Sequence, residues 1–230
     1  MAEKTMQFLY GDRELLLEVA DLFLAPVDVI VNPANGGLSH GGGVAGQFIE
    51  RGGEIIQQES DLFIQQHGEL ETGMVALTSA GTLPYQAVLH AVGPRMGEGD
   101  EQNKVMLAVS RSLKLCGMHG WDSIAFPAIS SGVFQVPIDV VAGGFFHAIS
   151  SYWDARLEDP PNKIIICLTK NNFKAFKDAF CRISKLPDGA GQQPEEINSE
   201  EVETETGSVS LDEDEIKALE SDDEVNEWFK

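Results

Sequence analysis

Four short runs, Val29-Ile30-Val31, Ala87-Val88-Leu89, Ile124-Ala125-Phe126 and Ile164-Ile165-Ile166, are apolar at consecutive positions, not at alternate ones. A strand buries every side chain only when both faces of its sheet are covered. The runs therefore predict a largely parallel or mixed sheet with helices on each side. Between them Met106, Val109, Leu113 and Cys116 recur at helical spacing. The expected order is strands at 6–10 and 14–20 about the turn Gly11-Asp12, then a strand at 27–32. A helix opening at Val44 and a helix at 54–66 follow, then strands at 74–78 and 86–92 and a helix at 103–116. A strand at 123–126, the loop 127–137, a helix at 138–153, a strand at 163–168 and a helix at 173–183 complete it. Such alternation is the mark of an α/β domain.

All four runs precede Ser184, which predicts one core and one domain over residues 1–184. Downstream, residues 185–230 carry 16 acidic side chains against 3 lysines, a net −13, and the domain carries 21 against 13, a net −8. With so few large apolar side chains the tail cannot offset the entropy of ordering its backbone, so it is expected to be disordered. Its segments 216–219 and 225–229 set apolar residues among acids. They are read either as docking elements for a protein partner or as part of a solvating tail.

An acidic body with a more acidic tail argues against general nucleic-acid binding, which depends on cations neutralising phosphates. Cys116, Cys167 and Cys181 are widely spaced in apolar or helical contexts, which predicts reduced, buried thiols. No Cys or His spacing fits a zinc site, so no metal is expected. The start Met1-Ala2-Glu3-Lys4-Thr5 lacks a secretory pattern and no run reaches the length of a membrane span. A soluble protein of the cytoplasm or nucleus, with no membrane partner, is the expectation.

Two glycine-bearing loops follow predicted strands, where backbone N–H groups and helix N-termini collect anionic ligands. The first, Gly41-Gly42-Gly43-Val44-Ala45-Gly46, satisfies Gly-x-Gly-x-x-Gly. A dinucleotide fold would put those glycines directly after the strand, whereas about nine residues intervene, and no acidic residue ends a clear second strand. No Gly-Lys-Ser or Gly-Lys-Thr follows, which removes the triphosphate-binding loop. An uncharged backbone cradle remains, suited to a diphosphate between two sugars.

The ordered motifs Val29-Ile30-Val31-Asn32-Pro33-Ala34-Asn35, His40-Gly41-Gly42-Gly43-Val44-Ala45-Gly46, His90-Ala91-Val92-Gly93-Pro94 and Pro127-Ala128-Ile129-Ser130-Ser131-Gly132-Val133-Phe134 resemble those of macrodomains. The likeness covers nearly all of residues 6–184. It is strongest to the macrodomains of large mono-ADP-ribosyltransferases and, around the glycines, to viral ones. The resemblance implies a three-layer α-β-α fold with a mixed central sheet and a pocket for ADP-ribose, with no further cofactor.

By the same resemblance Asp21, beside Leu22, stands where a carboxylate reads adenine, and Asp28 is the less favoured candidate. Asn35 matches the asparagine that holds the distal ribose, while Asn32 is read as a loop brace. Gly41, Gly42 and Gly43, with the amides of Val44 and Ala45, match the diphosphate loop. Ser130, Ser131, Gly132, Val133 and Phe134 match the second phosphate loop, Phe134 shielding the ribose. Leu168 stands where many members carry an adenine-stacking aromatic, a departure for which Asn172 or Phe173 are the candidate substitutes.

Two activities stay open: binding ADP-ribose and mono-ADP-ribosylated protein, or hydrolysing the ester between ADP-ribose and an Asp or Glu side chain. One hydrolytic branch uses an Asp after the glycines, where this chain has Ala45. A viral-like branch works by positioning, with Asn35 fixing the ribose. His40 is the one imidazole beside the glycines and is read chiefly as structural and secondarily as catalytic; His90 is assigned no chemistry. A third reading, a scaffold whose pocket has lost its ligand, conflicts with the intact glycines.

Overall fold

The computed structural model describes residues 4–155 and 161–183. The expected tail at 185–230 and its docking segments lie outside the described residues. One seven-stranded sheet runs in the order β1-β2-β7-β6-β3-β5-β4, built from β1 Thr5–Tyr10, β2 Arg13–Val19, β3 Val29–Ala34, β4 Val75–Thr78, β5 Ala87–Val92, β6 Ser123–Pro127 and β7 Lys163–Leu168. The inner pairs are parallel, while β1 and β4 run antiparallel at the two edges. The sheet is therefore mixed.

Side chains alternate across it. Leu17, Val31, Leu89, Phe126 and Ile166 join a core shared with α3 Glu101–Met118, α4 Ile138–Ala155 and α5 Lys170–Ile183. Leu16, Ile30, Val88, Ala125 and Ile165 face a second core with Phe48 of α1 Gly43–Gly52 and Ile56 of α2 Ile55–His67. The consecutive apolar runs are thus explained by two covered faces, and three layers result. The second core closes by near contact of backbone. A Cβ at Gly81, whose φ is +58°, would sit 2.0 Å from the Gly52 carbonyl oxygen.

Three local expectations change. β3 continues through Asn32, Pro33 and Ala34 to pair with Asn32's neighbour strand at His90, Ala91 and Val92, where the sequence suggested a turn. Its pairing with β6 ends at Ile30, so a proline lacking an N–H is tolerated beyond that point. α5 begins at Lys170 instead of Phe173, which puts Phe173 in the core, 7% exposed. Cys116 and Cys167 are buried, but Cys181 is only half-buried, and none of the three is in a disulfide among the described residues. Among the described residues no helix is long and apolar enough to cross a membrane.

Candidate functional site

Because β2, β3, β5, β6 and β7 run in the same direction, their C-terminal ends lie along one edge of the sheet. The chain leaves β3 toward β5 and β4 and later returns to β6 on the other side, so β3 and β6 flank a topological switch point. Their pairing stops after Ile30 and Ala125. A cleft of about 1110 Å³ opens there. It brings together Asp21, Leu22, Asn35, Gly41 to Ala45, Ser130 to Phe134 and Leu168, which are separated by up to most of the domain in sequence.

Both loops present unpaired backbone donors. The N-cap of α1 is Gly42, which has no side chain to cap the first turn, and Gly46 is the first residue whose N–H returns to the helix, at 3.1 Å from the Gly42 oxygen. The amides of Gly43, Val44 and Ala45 find no acceptor among the described residues. Across the cleft the 130–136 loop is closed by Val136 N–H to the Ser130 oxygen and Gln135 N–H to the Gly132 oxygen, each 3.0 Å. The amides of Gly132, Val133 and Phe134 likewise donate to nothing among the described residues. Partial positive charge thus converges on the cleft from two sides.

Ser130 holds this second loop in a left-handed conformation, φ +68°, rare for a residue with a side chain. Its hydroxyl is buried and has no hydrogen-bond partner among the described residues. Strain and an unsatisfied polar atom at one residue are features concentrated at functional sites.

The side chains around the cleft are few in charge. Asp21 is the one carboxylate among its described lining residues. Its Oδ1 accepts from the Phe23 N–H at 3.1 Å, capping the short 3-10 turn Leu22–Leu24. Asp28 is a brace, since its Oδ2 accepts from the Asp122 N–H, the Ser123 N–H and the Ser123 hydroxyl at 2.9–3.0 Å. Asn35 straddles the backbone of Ser39, donating to its carbonyl at 2.8 Å and accepting its N–H at 3.2 Å, which leaves one amide hydrogen and one lone pair for a ligand. Burial pushes the Cys167 thiol up to about 12, with Glu18 and Asp21 adding to it, so this wall residue is a neutral thiol and no nucleophile.

Leu168 contributes an apolar side chain, and among the described residues the aromatic rings lining the cleft are those of Phe23 and Phe134. Phe134 is half-buried and lies under the Arg95 guanidinium, 4.6 Å from the ring centre. Asn172 reaches the cleft; Phe173 does not, being packed on the opposite side in the α3–α5 core. Gly93 and Arg95 also line it. Neither was singled out from sequence as a site residue, although Gly93 falls in the His90–Pro94 motif that carried the family likeness. A motif read for its order alone conceals which of its members face the ligand.

Of the two readings of His40, the structure favours the structural one and removes the catalytic one. His40 does not line the cleft and is 6% exposed. Asn32 Nδ2 lies 3.1 Å from His40 Nδ1 and 3.0 Å from Nδ1 of His90, which stacks on His40 at 4.8 Å. An amide nitrogen only donates, so both histidines carry their proton on Nε2. His40 Nε2–H then donates to Ser60 Oγ at 3.0 Å and His90 Nε2–H to Thr78 Oγ1 at 2.8 Å. Both ring nitrogens of His40 are engaged behind the loop, so the ring is a structural anchor for the glycines and not a general base.

Burial lowers the His40 pKa, partly countered by Asp61, and burial together with His40 holds His90 well below the ordinary value of 6.5. In this window the unfolded chain binds protons that the folded chain refuses, so these histidines cost stability as the pH falls below about 6.5. Asp154, which accepts a hydrogen bond from the Tyr10 hydroxyl, has the opposite sign. Burial raises it from 3.8 to about 6, so the folded chain takes its proton first and gains stability as the pH falls through that range. Asp154→Asn should therefore lose stability more steeply than the parent between pH 6.5 and 5, measured by urea unfolding. Equal slopes would refute this assignment.

The Macro domain family model matches residues 31–144. The O-acetyl-ADP-ribose deacetylase of Cronobacter sakazakii is 36% identical over 73% of this chain and 93% of its own length. The human protein mono-ADP-ribosyltransferase PARP14 is 35% identical over 76% of this chain, which corresponds to 10% of that much longer protein. A mutant Oceanobacillus iheyensis macrodomain, solved with ADPR, superposes with a TM-score of 0.73 at 26% identity, covering 79% of this chain and all of the other. The switch-point cleft with its two amide-lined loops, the three-layer fold and these similarities lead to one conclusion: this chain belongs to the macrodomain family.

Proposed function

We propose that this chain binds ADP-ribose, free or as the single modification on a protein side chain, in the cleft between β3 and β6. The observation that carries this reading is the pair of uncapped amide sets, 43–45 and 132–134, beside a cleft where Asp21 is the one carboxylate among the described lining residues. Two sets of N–H donors suit two linked phosphates without a metal. Asp21 accepts from the exocyclic amine of adenine, Asn35 meets the distal ribose with its free hydrogen and lone pair, and Phe134 covers that sugar. Three cysteines outside any disulfide among the described residues fit a reducing compartment, the cytoplasm or nucleus.

Calorimetry with ADP-ribose tests it. The expected result is micromolar affinity, weakened about tenfold, roughly 1.4 kcal/mol, by Asp21→Ala. No heat with the parent protein would sink the reading.

Hydrolysis is the second reading, favoured by the likeness to a protein named as a deacetylase of an ADP-ribosyl ester. No carboxylate or imidazole lines the glycine end of the cleft among the described residues, so acceleration there comes from positioning water against the ester. A glutamate-linked mono-ADP-ribosylated protein distinguishes the two. Steady loss of label, slowed at least tenfold in Asn35→Ala, establishes an eraser; retained label with micromolar binding leaves a reader.

A further inference from the structure

We infer that Arg51 is a specificity-determining residue, which sets the base preference of the cleft by holding the Asp21 carboxylate in one orientation. This rests on the proposed binding of ADP-ribose and adds a residue outside the cleft wall. Arg51 stands in the last turn of α1, the helix whose other end is the glycine loop. Its Nη1 donates to Asp21 Oδ2 at 2.9 Å and its Nη2 to Gln47 Oε1 at 3.1 Å, and its guanidinium carbon sits 4.4 Å above the centre of the Phe23 ring. The Arg51 backbone is itself tied down, its carbonyl accepting from Thr82 Oγ1 at 2.9 Å.

Asp21 is thereby held at both oxygens, Oδ1 by the Phe23 N–H and Oδ2 by Arg51. A carboxylate has about four acceptor sites, so one on each oxygen stays open for a donor in the ligand. The ion pair is about 40% exposed, and such pairs contribute little to folding. Its effect is on geometry. An unclamped aspartate samples several rotamers and has to be ordered at the moment of binding, whereas a clamped one is already in place. The charge of Arg51 also opposes the pull of Asp21 on the amine. Because the amine is neutral, that opposition is charge on dipole through solvent, the weaker effect, and ordering decides the sign.

Adenine donates from its exocyclic amine; hypoxanthine has a carbonyl there and gains nothing from an oriented carboxylate. The test is calorimetry on the full chain with ADP-ribose and its hypoxanthine counterpart, for the parent, Arg51→Ala, Asp21→Ala and the double variant. Arg51→Ala is expected to weaken ADP-ribose about fivefold, roughly 1 kcal/mol, and to change the hypoxanthine ligand less than twofold. In the Asp21→Ala background it should have no further effect on either. Equal weakening of both ligands, or an undiminished effect without Asp21, would overturn the proposal, since either outcome means that Arg51 supports the loop generally. Absence of ADP-ribose binding by the parent would instead defeat the proposed function itself.

Discussion

Gly42→Val is expected to weaken ADP-ribose binding about 100-fold, roughly 2.8 kcal/mol, while leaving a folded protein. The expectation comes from what the fold does not demand at this position. Gly42 has an extended backbone, φ 173°, which any residue adopts. A Cβ there would meet nothing within 4 Å, and the same holds at Gly41. Neither backbone conformation nor packing explains the absence of a side chain. The space it would fill belongs to the cleft that both residues line. Valine is a poorer N-cap than glycine, at a cost of up to about 1 kcal/mol, which for a domain of this size is a few degrees in Tm. Calorimetry and a thermal melt separate the two effects. A variant that binds within threefold of the parent would show that the ligand does not approach this backbone.

Gly93→Ala should act in the opposite manner, through the fold and then the site. Gly93 follows β5, and a Cβ on it would lie 2.2 Å from Ser130 Oγ and 2.4 Å from Ile129 Cγ2. Ile129 is fully buried and Ser130 nearly so, so the loop itself has to move. Overpacking of this kind costs about 1–3 kcal/mol. Displacing the 132–134 amides by about 1 Å should cost at least tenfold in ADP-ribose affinity, because phosphate contacts depend on that placement.

Adding Ser130→Gly removes the nearer clash and relieves the left-handed strain, worth roughly 1–3 kcal/mol. The double variant should then be more stable than Gly93→Ala alone, read from urea midpoints. A single Gly93→Ala variant with the parent's midpoint and affinity would refute the contact.

The glycine loops were legible because a run of residues without side chains between a strand and a helix has few other uses. Asn35 was legible as a position because it ends the first motif, and Asp21 because the resemblance places a carboxylate just ahead of the central strand; both line the cleft. Less was legible where two residues of one type compete. Asn32 and Asn35 are three apart in sequence, yet the first is fully buried between two histidines while the second is half-buried on the cleft wall. His40 looks like a candidate base until Asn32 and Ser60 are seen to occupy both of its ring nitrogens. Arg51 carries no signal in the sequence at all, because its partners Asp21 and Phe23 come from a turn before β3.

Periodicity, turn residues and charge act over a few neighbouring positions, and so the chain alone determined the order of strands and helices, the doubly covered sheet and the presence of two backbone cradles. Tertiary structure decided which polar side chains enter the cleft and which brace it. That choice depends on the strand register and on partners from distant elements, such as Asp28 with Ser123 and Asn32 with His90, which exist only once β3, β5 and β6 lie side by side.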